Sequence, residues 1–366
     1  MSLGPGDGRI QPSRTDRAEA SVRRRRMYAI GAVLVIVVAG VAATRLGGGG
    51  GAAAASPSAP GSSPGASPPN QLLAFSVTGA PKALLAVVGT GGTSPAAGLV
   101  LPPGMTVTVP GQGETVTEDV QALPGDSMRI GVSNAVGTWA DHYAVMDLHG
   151  FGEAIDAAGG LMVNLAAAYP VGGTVLGPGK THMTGSEVVT FLYEKADDTD
   201  LRWASVLEAF LEAAPAISPD ELSDADDAAA ATEILQSGRG ADVQVAPTTV
   251  VGGTAIVPKQ PDLEQLVGHL FGTPAPVKAL VENGTGSPSV GEAVAKDLIP
   301  AGFRIVLSQN APSFDHATTT ITANGTDHVD DANAARKALG VGVVQVTQVP
   351  SGLADVTIVV GRDFEG

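Results

Sequence analysis

The uncharged run from Met27 to Ala43, MYAIGAVLVIVVAGVAA, limits what this chain can become more than any other segment. A stretch without a polar face has to be surrounded by hydrocarbon or by protein on every side. Read through Leu46, it supplies the roughly 20 residues that a helix needs to cross about 30 Å of bilayer. Arg23 to Arg26 stand against its amino-terminal end, and only Arg45 follows it. The positive-inside rule then keeps residues 1–26 in the cytoplasm and exports the remainder. A cleaved signal peptide, with GAAAA past Leu46 as the processing site, and a buried core helix are the competing readings. The arginine block alone suggests nucleic-acid binding, but its place beside an apolar span makes it a topology signal. The expectation is a single-pass cell-membrane protein with a basic cytoplasmic tail at 1–26, a transmembrane helix at 27–46 and an extracytoplasmic bulk.

Residues 47–70, GGGGGAAAASPSAPGSSPGASPPN, carry too few large apolar side chains to offset the entropy of ordering them. They read as a flexible linker. Charge is distributed unevenly across this boundary: the first 26 residues hold seven arginines and three acids, whereas the rest holds 14 basic and 34 acidic residues. An exported part so acidic repels polyanions, which excludes nucleic acid as its partner. The chain has no cysteine. Disulfides, thiolate metal sites and cysteine nucleophiles are therefore excluded, and stability has to come from burying Val, Leu, Ile and Ala.

From Gln71 the pattern becomes α/β. LLAFSV and ALLAVVG are short apolar runs bounded by Gly and Pro, read as two strands joined by a turn at Thr78 to Lys82. GLVLPPGMTVTVPG gives a further extended pair, alternating through Met105 to Val109. A strand at Tyr143 to Met146, an Asp147 cap, a helix with Phe151, Ile155 and Ala158 on one face, and a strand at Leu161 to Leu165 form a strand–helix–strand unit. Two helices follow around the turn Ala196 to Thr199, the second with Leu201, Ala204, Leu207, Phe210 and Leu211 on its buried stripe. Ser218 to Ala230 reads as an acidic helix, VVGGTAIV as extended chain, and DLEQLVGHLFG as a short helix ending at Gly272. GTGG at Gly89 to Gly92 lacks the following helix that a phosphate loop needs, and reads as a turn. His142 and His149 flank a strand and a helix start, but no serine stands in a G-x-S-x-G elbow to complete a triad. Asp197, Asp198 and Asp200 lack the remaining ligands of an EF-hand and read as a solvated acidic turn, so no metal site is assigned.

The segments DHYAVMDLHGFGEAIDAAGG and LGPGKTHMTGSEVVTFLYEKADDTDLRWASVLEAFL, in that order, resemble the LytR-CpsA-Psr domain of Gram-positive and actinobacterial envelopes. The resemblance covers residues 71–273. It implies an extracytoplasmic α/β sandwich with a central mixed sheet behind a single membrane helix. Active members of that family move a glycopolymer from a polyprenyl-pyrophosphate carrier to peptidoglycan. Such chemistry asks for carboxylates around a divalent cation and for clustered guanidiniums. Where the family carries a Pro-Arg-Asp turn, this chain has Pro102-Pro103-Gly104. Where the family has an Arg-x-Arg pair, it has Tyr193-Glu194-Lys195. Asp200 and Arg202 remain on the next helix, but Ser205 and Val206 stand near the later arginine position, and the family's early aspartate has no counterpart around Asn70 to Phe75. Between Gln71 and Gly272 the basic residues are Lys82, Arg129, Lys180, Lys195, Arg202, Arg239 and Lys259, scattered rather than clustered. Lys195, Asp200 and Arg202 are the surviving catalytic candidates, and Tyr193, Lys195 and Arg202 the ligand-binding ones. The plainer reading of Lys195, Asp200 and Arg202 is a solvated helix start, with Asp200 capping and Arg202 exposed.

TPAPVK, with its linker at 274–276, leads into a second small α/β domain at 277–366. Its order is strand (VKALVENGTG), helix (SVGEAVAKDLIPAG), strand (FRIVLSQN), strand (ATTTITA), helix capped near Asp330 (VDDANAARKALG) and strand (ADVTIVVGRDF), with parallel pairs expected where helices intervene. This order resembles the LytR C-terminal domain over Val277 to Phe364. Asn283, Gly284 and Thr285 sit at a strand end, where a ligand or a tight turn accounts for them; the turn is preferred. The combined reading is a membrane-anchored envelope protein that binds cell-wall glycopolymer, peptidoglycan or wall-assembly proteins with its catalytic residues degraded. The alternative is an active phosphotransferase acting on a polyprenyl-linked glycan with Mg2+. Transcriptional regulation finds no helix-turn-helix to support it.

Overall fold

A computed structural model of the protein describes residues 71–366 apart from 81–82, 92–93, 172, 195–197, 214–216, 349–351 and 366. The expected cytoplasmic tail, transmembrane helix and linker therefore lie outside the described residues. Among the described residues no helix is long and apolar enough to cross a membrane.

Leu72–Thr78 (β1) and Leu84–Gly91 (β2) are apolar at successive positions, so a strand made from either has to be covered on both faces. The structure covers them. Leu73, Phe75 and Val77 join Leu84, Ala86 and Val88 in one core, while Leu72 and Ala74 join Leu85 and Val87 in another on the opposite face. β1 and β2 are antiparallel, and Ser94–Val100 (β3) extends them as a second hairpin past Gly91. Thr106–Val109 (β4) and Gly113–Val116 (β5) form a separate ribbon. The helices Thr117–Gln121 (α1) and Gly125–Val136 (α2) follow, and then His142–Asp147 (β6) pairs parallel with β1.

Asp147 caps the helix Leu148–Ala157 (α3), accepting from the Gly150 backbone N–H at 2.8 Å, with Phe151 and Ile155 fully buried. Ala158 lies past the end of this helix and is exposed, contrary to the expected stripe. Leu161–Leu165 (β7) is a strand as expected, but it does not return to the sheet that holds β6. Gly159 and Gly160, at φ +85° and +92°, turn the chain away. β7 also has only one buried face, with Met162 54 % exposed between buried Leu161 and Val163, so it suits a one-sided ribbon. After Tyr169–Val171 (β8) and Thr174–Leu176 (β9), which pair with each other, Gly179–Met183 (β10) supplies that ribbon's second strand.

The helices Gly185–Tyr193 (α4) and Thr199–Ala213 (α5) stand where the sequence placed them. On α5, Leu201 is 58 % exposed, while Trp203, Val206, Leu207, Phe210 and Leu211 are buried. The stripe is thus rotated from the expected one. Ser218 to Ala230 is not one helix: Ser218 caps a short 3-10 turn at Pro219–Glu221, Asp224–Ala225 (β11) pairs with β6, and only at Asp227 does a cap start Ala228–Gln236 (α6). The reason is chemical, since Ser and Asp side chains compete for the backbone donors of a helix start and favour caps over interiors. Asp242–Val245 (β12) closes the sheet beside β3, giving the mixed order β11-β6-β1-β2-β3-β12. Thr248–Val251 (β13) and Ala255–Pro258 (β14) are extended, and Gln260–Phe271 (α7) stops at Gly272 in the left-handed conformation.

The carboxy-terminal sheet contains Val277–Asn283 (β15), Phe303–Asn310 (β16), Thr320–Asn324 (β17), Val343–Thr347 (β18) and Val356–Val360 (β19) in the order β16-β15-β19-β17-β18. The helix Val290–Leu298 (α8) links β15 to its parallel neighbour β16, and Val329–Leu339 (α9) links β17 to its parallel neighbour β18. α9 follows His328 at its N-cap position, two residues before Asp330. β18 was not foreseen: its residues are mostly exposed, so it lacks the apolar alternation of a half-buried strand.

α2 serves two cores. Met128, Val132 and Val136 face the core under the first sheet, while Ile130 belongs to the core of the carboxy-terminal sheet. Asn134, 2 % exposed, completes the contact. Its Nδ2 donates to the carbonyls of Thr108 and Ile305, both at 2.9 Å, and its Oδ1 accepts from the Ile305 N–H at 2.7 Å. β16 is an edge strand, and one side chain takes the place of the missing strand at Ile305. Arg304, 5 % exposed, pairs with Glu264 of α7 at 2.8 Å, and Lys296 of α8 pairs with Asp126 of α2 at 2.6 Å. Asn134→Ala is expected to strand the buried Ile305 N–H and C=O and to lower stability by about 3 kcal/mol, read as an earlier urea midpoint at unchanged slope.

Candidate functional site

Each residue carried forward from the sequence has a definite surrounding except Lys195, which lies outside the described residues. Thr184 and Glu187 form a reciprocal capping box that starts α4, and the helix runs to Tyr193, which is 58 % exposed. Asp200 sits in the first turn of α5 with its carboxylate accepting from the neighbouring Leu201 N–H at 3.0 Å. Asp198 precedes the helix, and its carbonyl accepts the Arg202 N–H at 3.0 Å. Asp198, not Asp200, therefore occupies the capping position.

Arg202 is the largest departure from expectation, because it is buried at 8 % exposure instead of solvated. Its Nε donates to Asp198 Oδ1 at 2.9 Å and its Nη1 donates to the Phe191 carbonyl at 2.9 Å. Glu194 Oε2 lies 3.9 Å from the same Nη1. The guanidinium also stacks 4.6 Å from the Tyr169 ring centre and 4.7 Å from that of Phe191. Tyr169 donates its hydroxyl to Asp198 Oδ2 at 2.8 Å. Burial pushes the Asp198 carboxyl up, but the Tyr169 hydroxyl and the Arg202 guanidinium outweigh it and hold the group below its ordinary range. Among the described residues the cluster holds one cation and two carboxylates. The Arg202 charge is met by those carboxylates, which leaves that guanidinium little attraction for an incoming phosphate.

Arg129 repeats the arrangement on α2. It pairs with Asp126 and with Asp226, the latter at 3.2 Å, donates to the Asp141 carbonyl at 2.8 Å, and stacks on Trp139. Asp226 also accepts from the Tyr143 N–H at 2.9 Å, and His142 Nδ1 lies 3.6 Å from it. His149 is fully solvated beside Glu153. Gly104, in the turn where the family pattern would put a guanidinium and a carboxylate, donates its backbone N–H to Glu118 at 2.6 Å. Among the described residues no three His, Asp or Glu side chains converge as a cation site would require. Those residues do not supply a donor set for Mg2+.

A third feature leaves no mark in the linear order of residues. A cleft of about 380 Å³ opens between the β4–β5 turn, at Gly111 to Gly113, and the β15 and β16 strand ends with Phe314 at its rim. It is assembled from residues nearly two hundred positions apart, and only tertiary folding brings them together. Asn283 belongs to its wall as part of a tight turn, its Oδ1 accepting from the Thr285 and Gly286 N–H groups.

Residues 276–364 match the family model described as LytR cell envelope-related transcriptional attenuator. This carboxy-terminal segment is a LytR C-terminal domain. The match coincides with the resemblance read over Val277 to Phe364. No curated protein sequence matches the chain. Similar solved structures include TagV of Bacillus subtilis, 17% identical over 56% of this chain and 99% of that chain, with a TM-score of 0.46. They also include the LytR-CPS2A-psr family protein YwtF (TagT) with bound octaprenyl pyrophosphate lipid, 15% identical over 55% of this chain and 90% of that chain at a TM-score of 0.44. A transcriptional regulator of Enterococcus faecalis is 13% identical over 56% of this chain and 89% of that chain, at 0.46.

If the Arg202 cluster is a structural unit, Arg202→Ala lowers stability by about 3 kcal/mol, because it leaves Asp198 without its cation. Asp198 has a folded pKa below its unfolded one, so its contribution is complete above the ordinary value of 3.8 and is lost as pH falls through the folded pKa. Thermal melting followed from about pH 5 down to about pH 2 should steepen with acid in the unmodified chain and flatten in Asp198→Asn.

Proposed function

We propose that the protein is a membrane-anchored, extracytoplasmic envelope protein that binds cell-wall glycopolymer, peptidoglycan or a wall-assembly protein without catalysing glycopolymer transfer. One observation carries this reading: the Arg202 guanidinium is buried and engaged by Asp198, the Phe191 carbonyl and two aromatic rings. Transfer from a pyrophosphate carrier relies on cations free to meet charge that develops on the phosphoryl group. A guanidinium already neutralised inside the fold stabilises the protein and not a transition state. The second arginine, Arg129, is bound in the same way. The LytR C-terminal domain at 276–364 agrees with an envelope setting, and the order of motifs in 71–273 agrees with a domain built on an enzyme's plan.

Anchoring rests on the sequence. The span at 27–46 with Arg23 to Arg26 before it gives a cytoplasmic amino terminus. Membrane fractionation should leave the full chain in the pellet after alkaline washing, and protease added outside spheroplasts should digest epitopes placed after residue 70 but not those before residue 27. Digestion of the amino-terminal tag would overturn the topology.

The catalytic half of the proposal has its own test. Full-length protein in detergent, given a polyprenyl-pyrophosphate-linked glycan, Mg2+ and peptidoglycan, should release no more carrier phosphate than a protein-free control while still sedimenting with peptidoglycan. Turnover that disappears in Asp200→Asn and Lys195→Ala would establish the active phosphotransferase instead.

A further inference from the structure

The cleft between the β4–β5 turn and the carboxy-terminal sheet has a chemistry opposite to that of the arginine clusters. None of its lining residues is ionisable. Its polar surface is carboxamide and hydroxyl: Gln112 on one wall, and Ser308, Gln309 and Asn310 along β16 on the other. Two of these groups are already committed. Ser308 Oγ accepts from the Gly111 N–H at 3.1 Å, which fixes the two walls together, and Gln309 Nε2 donates to Glu282 at 2.8 Å. Among the described residues, the side chains of Gln112 and Asn310 have no hydrogen-bond partner, and both are exposed. Each offers a donor and an acceptor side by side.

Phe314 is 44 % exposed at the rim of this cleft. Gly286 lies against it, and a Cβ there would come within 3.2 Å of its ring, so the absence of a side chain lets the ring lie over the backbone. Where the walls meet, a Cβ on Gly291 would stand 2.5 Å from the Gly111 Cα. Backbone therefore meets backbone and the floor stays free of side chains. A volume of 380 Å³ lies at the lower end of the roughly 300–1,000 Å³ usual for small-ligand sites.

We infer that this cleft binds a short segment of an uncharged saccharide, with Phe314 as the stacking platform and Gln112 and Asn310 reading its hydroxyls. A pyranose ring has one flat face of C–H groups and a rim of hydroxyls that each donate and accept. The face removes apolar ring surface of Phe314 from water, and the rim pairs with the two carboxamides. An anionic repeat finds no cation in the lining. An extended peptide would seek a row of free strand donors and acceptors, but the outer edge of β16 is occupied by Asn134 at Ile305. The inference rests on the glycan-binding reading above and deepens it, but it does not depend on the lack of turnover.

The test titrates full-length protein in detergent with an uncharged tetramer of β-1,4-linked N-acetylglucosamine, followed by calorimetry, with an uncharged alanine-glycine peptide as comparison. The unmodified chain should bind the tetramer, and Phe314→Ala and Gln112→Ala should each weaken it about tenfold, a truncation effect typical of a contact that carries binding energy. Arg239→Ala, on a distant exposed side chain, should bind as the unmodified chain does. Because Phe314 and Gln112 stand on opposite walls, loss of folding in one variant leaves the other to decide. No heat from the tetramer, equal affinity in the folded variants, or heat from the peptide alone would overturn the assignment. Sedimentation with insoluble peptidoglycan separates the two claims: pelleting that is unimpaired in both variants removes the cleft and leaves glycan binding in place, whereas an unmodified chain that stays in solution removes both.

Discussion

Burial on both faces of the six-stranded sheet is the constraint from which the rest of the fold follows. β1 and β2 offer large apolar side chains to either side, so helices have to be supplied to both. α3, α4, α5 and α6 cover one face, with Phe151, Phe191, Trp203 and Phe210 filling the space beneath. α2 and α7 cover the other, with Met128, Leu263 and Phe271. Each fully buried Leu, Val or Phe contributes on the order of 1.5–3 kcal/mol of transfer free energy, and a chain without disulfides depends on that sum. Polar groups drawn into these layers have to bring partners with them.

That requirement explains the fate of the arginines. Arg202 enters the aromatic layer beside Phe191, and burying its charge is tolerable only because Asp198, a backbone carbonyl and two ring faces receive it. The same side chain left at a solvent-facing rim would be free to meet a phosphate. Residue identity is thus a poor guide to surroundings here: an arginine that the sequence suggests is solvated is held inside the packing. Arg129, enclosed by Asp126, Asp226 and Trp139, makes the point a second time.

The elements that the sequence revealed are those whose side chains are buried in a regular pattern. β1, β2, β6 and α3 carry unmistakable apolar runs, and Asp147 and Gly272 mark helix ends by local chemistry alone. The failures share a cause. Ser218 to Ala230 has helical composition, yet two caps, Ser218 and Asp227, and a proline divide it. β18 is exposed and carries no alternation, and β7 looks like a sheet strand until its partner is known. At the candidate site, the scatter of basic residues along the chain is visible in the sequence, but the burial of Arg202 is not. The cleft was illegible for a stronger reason: Gln112 and Asn310 line it together only because the β4–β5 turn meets β16 in the folded chain.

The contact of α2 with β16 has a consequence for how the molecule comes apart. Ile130 is a core residue of a sheet that begins well over a hundred residues later, and Asn134 satisfies the edge of a strand on that same sheet. Removing everything past residue 276 would return an apolar side chain of α2 to water and strip the Asn134 carboxamide of its Ile305 partners, while the excised sheet would keep a bare edge at Ile305. The two halves are thus thermodynamically coupled through α2, α7 and the β4–β5 turn, and heat or denaturant should melt them in one cooperative step and not in two.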